Sequence, residues 1–409
     1  MEYTVFSFQT IHETHAIHNS SSDVFLAKTS LEEFTIIETL QLREICKMPF
    51  RTHLLLAIIL LFLTACEFFP DITGKANVEE YDENRSVVQL NLAVAPQIAW
   101  MPWYLADQEG IFHEHSAKHR IQVQFIPDNN YQDTIDKFIT EEVQAIAISN
   151  IDAIAQLVRR DIEADVILIT NTSNGNEAIL LPSNADTSLH SLRGKKFALV
   201  KNASRHYLFD RYLIRNQIAF DEINIVDTVE SDIPDAFLKK EIYGVVTSNP
   251  NLHKLTHAEE SAKVLFDSRQ IPGEIFDLLI IRRKTLLDYP QFAQVLLATW
   301  FSVMERLQGS KKGLTLDALA GLANIGRSEY KQQLVTTPLY DTSTKALSAI
   351  RDRRIRKAMR HLRYFIERHQ LTGNEPYIDW VSYPGRNPAL LHFNGQPLQD
   401  FVAPPVSDE

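Results

Sequence analysis

The chain has 409 residues, 45% of them hydrophobic and 23% charged, with a formal net charge of −11 at pH 7. That length can bury a core of more than one lobe, the composition is globular, and the acidic balance excludes a general nucleic-acid binder. The two cysteines, Cys46 and Cys66, both precede the folded part, which excludes disulfides, a thiol nucleophile and cysteine-based metal sites there.

An apolar run from Leu54 to Leu63 follows Arg51 and ends in Leu63-Thr64-Ala65-Cys66. It is apolar on every side, unlike an amphipathic core helix. It is also shorter than the roughly 20 residues a membrane-spanning helix needs. A basic start, a short greasy core and small residues before a cysteine read as a lipoprotein signal, complete from Met48 to Ala65, with Cys66 as the lipid-attachment site. Residues 1–47 then precede the functional start, as a spurious or disordered extension. Residues 66–86, polar and containing Pro70 and Gly74, read as a tether.

Regular patterning begins at Val87. Strands are expected over Val87–Ala95, Ile121–Ile126, Ala145–Ser149, Val166–Thr170 and Glu177–Leu181. Helices fall between them over Trp100–Gly110, Tyr131–Glu142 and Ile151–Arg160. The alternation continues with strands Lys196–Val200, Ile223–Val226, Gly244–Thr247, Val264–Phe266 and Phe276–Ile281, and helices Arg205–Asn216 and Ile233–Lys240. After Arg283 the strands stop, and Pro290–Leu307, Thr315–Asn324, Glu329–Val335 and Ile350–Glu367 read as helices. Strands alternating with helices imply an α/β fold with largely parallel sheets. Two polar, glycine-containing stretches, Thr172–Leu181 and Pro272–Ile281, each lead into an apolar strand. Side by side they make a two-segment hinge, with 182–273 as one lobe and 87–181 plus 274–409 as the other. The ligand position in such a fold is the cleft between the lobes, outside the carboxyl ends of the strands.

Seven short stretches carry a resemblance. They are Trp100-Met101-Pro102-Trp103-Tyr104-Leu105-Ala106, closed by Gly110-Ile111-Phe112; Ala147-Ile148-Ser149-Asn150-Ile151-Asp152-Ala153; Thr172-Ser173-Asn174-Gly175-Asn176-Glu177-Ala178; Leu192-Arg193-Gly194-Lys195-Lys196-Phe197-Ala198; Asn202-Ala203-Ser204-Arg205-His206-Tyr207; and Ile271-Pro272-Gly273-Glu274-Ile275-Phe276-Asp277. In this order and spacing the chain resembles the substrate-binding lipoproteins of ABC importers for nitrate, sulfonates, taurine and thiamine precursors. The resemblance implies a two-lobed type II periplasmic binding protein fold with a two-segment hinge and a C-terminal helical part. Many relatives carry tryptophan before the proline where this chain has Thr247-Ser248-Asn249-Pro250, and Asp where it has Glu177.

The candidate ligand-binding residues follow. Trp100 and Trp103, flanking Pro102, either stack on a flat or cationic ligand or pack beneath the first helix. Ser149, Asn150 and Ser204 stand at helix starts, where unpaired N–H groups and the dipole favour an anion, or where they simply cap. Asn174, Asn176 and Glu177 lie on the first hinge segment, and the Glu177 carboxylate would favour an amine or amidine or would pair with a nearby Arg or Lys. Arg205 and His206 neutralise an anionic ligand or face outward, and Asn249 replaces an aromatic wall or serves a turn. The basic run Arg351–Arg363 reads as a solvated face or a docking face.

The resemblance implies a monomeric, lipid-anchored receptor in the cell envelope. It captures a small anionic or zwitterionic solute of sulfonate, nitrate or pyrimidine type by hinge closure and delivers it to an ABC permease and its ATPase, with no cofactor, metal or nucleic acid. The alternative is a sensor presenting its closed form to a signalling partner. An enzyme akin to the fungal pyrimidine synthase of thiamine biosynthesis would need a cysteine-rich iron motif, and the folded part has no cysteine.

Overall fold

A computed structural model of the chain describes residues 87–239, 241–258, 262–371 and 380–403. The signal segment, Cys66, the tether and residues 1–47 lie outside the described residues. The first strands are β1 (Val88–Val94), β2 (Ile121–Pro127), β3 (Ala145–Ser149), β4 (Ala164–Thr172), β5 (Glu177–Pro182) and β6 (Lys196–Leu199). They are followed by β7 (Asn224–Asp227), β8 (Gly244–Ser248), β9 (Ala262–Asp267), β10 (Phe276–Arg282), β11 (Val381–Ser382) and β12 (Leu391–Phe393). The helices used below are α1 (Met101–Gln108), α2 (Tyr131–Ile139), α3 (Ser204–Arg215), α4 (Pro290–Gln308), α5 (Ser343–Arg351) and α6 (Arg353–Arg368).

The strands form two sheets. The first runs β11-β12-β4-β10-β3-β1-β2, and the second runs β7-β6-β8-β5-β9. β1 is parallel to β2 and β3, whereas β10 lies antiparallel between β3 and β4. The sequence Ala-Ile-Ala-Ile-Ser of β3 is buried at every position, as a strand with neighbours on both sides and helices on both faces requires. β2 is an edge strand, and its IQVQFIP sequence alternates buried and exposed positions. In the second sheet β6 is parallel to β7 and β8, while β5 is antiparallel to β8 and β9.

The chain passes between the sheets twice, from β4 to β5 and from β9 back to β10. The crossings touch: the Ser173 N–H donates to the Ile275 carbonyl at 2.9 Å. Gly175 takes φ +104°, a left-handed value that favours glycine, and its N–H donates to Ser268 Oγ at 2.7 Å. α1 packs on the long helix α4, where the Trp103 and Trp300 ring centroids are 5.1 Å apart.

Four sequence-based expectations differ from this structure. Strands do not stop after Arg283, because β12 pairs in parallel with β4 and β11 extends the same sheet. β5 belongs to the second sheet, so the crossing falls at 173–176 rather than after Leu181. Ile350–Glu367 is two helices, since Asp352 adopts extended backbone and its side chain accepts the Arg354 N–H as the cap of α6. Trp100 ends a 3-10 turn over Ile98–Trp100 that precedes α1. Among the described residues no helix is long and apolar enough to cross a membrane.

Candidate functional site

A polar pocket lies where the two sheets present their strand ends to each other. The first sheet contributes Ser149 at the end of β3, Asn171 in β4 and Asp277 in β10. The second contributes Glu177 at the start of β5 and Ser248 at the end of β8. Tyr131, Asp152, Ser204 and Arg205, all at helix starts, complete the wall. The inner space is about 20 Å³, room for one water-sized group. It shares Gln97, Tyr131, Asp152, Arg205 and Ser248 with an outer cleft of about 660 Å³.

Hydrogen bonds hold the acids in place. Asp152 Oδ2 accepts from Tyr131 Oη at 2.9 Å and from Ser149 Oγ at 2.7 Å, while Ser149 Oγ accepts the Asp152 N–H at 3.1 Å. Glu177 accepts from Ser173 Oγ and from the Asn176 amide, the latter at 3.3 Å. Asp277 Oδ2 accepts from Asn171 Nδ2 at 2.8 Å. Arg205 Nε lies 3.1 Å from Glu230 Oε2, and its other nitrogens donate to Ser204 Oγ at 3.2 Å and Ser248 Oγ at 2.9 Å.

Burial works against ionised groups here. It pushes the Asp277 carboxyl up to about 7, against the hydrogen bond from Asn171 and with help from the neighbouring Glu177 charge. It also raises Glu177 and Asp152, although Ser173 and Ser149 respectively donate to them and Arg205 attracts both. Burial opposes the Arg205 charge too, but Glu230, Glu177 and Asp152 outweigh it and hold the guanidinium above its ordinary range.

Of the residues expected at the site from sequence, Ser149, Asn176, Glu177, Ser204 and Arg205 line the inner pocket, and Asn249 lines the outer cleft. Ser149 also caps the helix start that follows it. The other five do not line either space. Trp100 is fully buried with its ring 5.6 Å from that of Tyr131, so it backs the pocket wall instead of facing the ligand. Trp103 is spent in the core between Trp300 and Phe112. The Asn150 amide donates to the Glu274 carbonyl at 3.0 Å and accepts the Phe276 N–H at 3.3 Å, pinning the second crossing. Asn174 is exposed, with its backbone N–H on the Thr336 carbonyl at 2.8 Å. His206 is buried beside His369 and Phe365, and burial pushes its pKa down to about 3.

Sequence reasoning missed Tyr131, Asp152 and Asp277. Both acids carried a legible signal: each is a lone carboxylate inside an otherwise apolar run, Phe276–Ile281 for Asp277 and Ile151–Ala155 for Asp152. A charge in such a run is costly unless something at that position needs it. Among the described residues no group of His, Cys, Asp and Glu is arranged to hold a metal ion.

Residues 97–299, which carry nearly all of this pocket, match the family model described as NMT1/THI5 like. Solved structures agree in fold. The alkanesulfonate-binding protein SsuA from Xanthomonas axonopodis pv. citri, bound to MOPS, is 14% identical with a TM-score of 0.57, covering 70% of this chain and 95% of that one. The periplasmic aliphatic sulphonate binding protein SsuA from Escherichia coli is 14% identical with a TM-score of 0.59, covering 70% and 94%. A periplasmic sulfonate-binding SsuA from Methylobacillus flagellatus KT is 15% identical with a TM-score of 0.59, covering 77% and 95%. No curated protein matches the chain.

Proposed function

We propose that this chain is the solute-binding component of an ABC importer, held outside the cytoplasm by lipid on Cys66. The observation that carries this reading is the enclosed polar pocket between the sheets. Ser173 and Asn176 of one crossing and Ile275 of the other lie in its wall. A solute filling the pocket therefore touches both segments about which the sheets would rotate, which couples binding to closure. In this reading 87–172 and 276–403 form one lobe and 177–267 the other, and the closed form docks on a permease. No catalytic step is required. Of the solute classes the sequence suggested, an amine-bearing zwitterion suits this pocket better than nitrate, because acids outnumber bases in its lining.

Thermal unfolding of the full chain against sulfonates, inorganic anions, pyrimidines, amino acids and polyamines tests the reading. A ligand at about 100 times its dissociation constant adds about 2.7 kcal/mol, a shift of a few degrees. One responding class is expected; a folded protein with no response to any class overturns the proposal. Metabolic labelling with a fatty-acid analogue tests the anchor, with label expected on the wild type and absent from Cys66→Ser.

A further inference from the structure

We infer that the inner pocket selects a protonated nitrogen, an ammonium head, and rejects the sulfonate or nitrate group. This inference rests on the solute-binding reading above and specifies the charge of the group that goes deepest.

The lining holds three carboxylates, Asp152, Glu177 and Asp277, against one cation, Arg205. That cation is already engaged. Its Nε is ion-paired with Glu230 at 3.1 Å, and Ser204 and Ser248 each accept from one of its two terminal nitrogens. An incoming anion would compete with Glu230 for that cation while facing the three acids at close quarters, shielded from bulk water. A cation meets the opposite field.

The geometry of the acids agrees. Asp277 has one oxygen on Asn171, and its other oxygen has no hydrogen-bond donor among the described residues. Glu177 and Asp277 come from different sheets, so one nitrogen between them would bind both sides of the cleft. Burial and the neighbouring Glu177 and Asp152 charges push Asp277 up to about 7 although Asn171 and Arg205 favour its ionised form, so a second cation placed against it would be stabilising.

Size supplies an independent argument. The inner space of about 20 Å³ takes one water-sized group, which an ammonium matches and a ring does not. The rest of the solute must lie in the outer cleft of about 660 Å³. That cleft is bordered by exposed Arg159, Arg160 and Lys201, so an acidic tail pointing outward meets positive charge. The helix starts at Tyr131, Ser149 and Ser204 favour an anion, but the Asp152, Glu177 and Asp277 carboxyls share the same lining.

The experiment is a titration of the full chain, followed by thermal midpoint and calorimetry, with putrescine and agmatine as cationic probes and ethanesulfonate and nitrate as anionic ones. Stabilisation by an amine probe is expected. Asp277→Asn, which keeps the shape and removes the charge, should weaken that binding at least 10-fold, and Asp152→Asn should do the same. Both variants are checked for folding by circular dichroism. Stabilisation by ethanesulfonate or nitrate without any response to amines overturns the inference while leaving the solute-binding reading intact. Amine binding unchanged in a folded Asp277→Asn overturns the placement of the nitrogen. Silence to every probe, extended to the wider solute panel, overturns both readings.

Discussion

Arg368 on α6 grips Asp210 on α3, with Nη1 at 2.7 Å from both carboxylate oxygens, and the neighbouring His369 Nε2 reaches the same carboxylate at 3.0 Å. α3 packs against β5 and β8 of the second sheet, so this contact straps α6 across to it. A second tie lies beside it. Glu274, on the second crossing, accepts from Arg211 at 2.7 and 3.0 Å and from Tyr207 at 2.7 Å. Replacing Arg368 by Ala leaves Asp210 buried with His369 alone. A loss of about 1–2 kcal/mol is expected, because Arg368 itself is partly solvated and hydrogen bonds to charged groups contribute about 1.5–3 kcal/mol when shielded. Urea unfolding measures it.

His206 predicts an acid-side loss of stability. Burial, with His369 and Lys201 nearby and Asp210 opposing them, pushes its pKa down to about 3. The unfolded chain would take up a proton near pH 6.5, which the folded chain refuses. The unfolded state therefore binds more protons between about 3 and 6.5, and stability falls by about 1.4 kcal/mol per pH unit as pH drops through that window. His206→Gln should flatten the slope of unfolding free energy against pH between 6.5 and 4.5. An identical slope in the variant would show that the histidine protonates in the fold.

Asp277 acts with the opposite sign. Its folded pKa of about 7 exceeds the ordinary carboxyl value of 3.8, so the folded state binds the extra proton and stability falls as pH rises through that window. Asp277→Asn should therefore raise the unfolding midpoint of the unliganded chain at pH 8, by a free energy on the order of 1–3 kcal/mol. The gain should shrink as pH falls toward 4. The variant most damaging to amine binding is then the more stable protein, a combination that a folding defect cannot produce.

Gly244 opens β8 in a place without room for a side chain. A Cβ there would stand 2.6 Å from Leu181 Cδ2, 2.7 Å from Phe197 Cε1 and 2.8 Å from the Leu180 carbonyl oxygen. The carbonyl belongs to β5, which is paired on both sides and cannot retreat. Gly244→Ala should cost about 1–3 kcal/mol by overpacking, seen as a lower urea midpoint at unchanged slope.

Much of the fold was legible because its strands are short apolar runs separated by amphipathic helices. Val87–Ala95 and Ala145–Ser149 were placed within a residue or so of β1 and β3. β11 and β12 were not legible: they span two and three residues in a stretch rich in Pro, Gly and Asn, and they exist only because β4 offers them an edge. The split at Asp352 was hidden by helix-favouring arginines on both sides of it. At the site, Ser149, Ser204 and Arg205 were legible because strand-to-helix turns are recognisable, and Glu177 because it follows the polar, glycine-containing hinge stretch. Trp100 and Trp103 misled, since a large aromatic near a turn reads the same whether it faces a ligand or fills a core. Only the tertiary packing of α1 on α4 decides for Trp103.

The meeting of the two crossings through Ser173 and Ile275 makes everything between them, topologically, an insert with adjoining ends. Such a segment can be exchanged between relatives as one contiguous cassette, with nothing to unthread. The cassette would carry Glu177, Arg205 and Ser248, while Tyr131, Asp152 and Asp277 would stay with the recipient. A chimera built that way inherits its recognition chemistry from two parents, and its specificity belongs to neither.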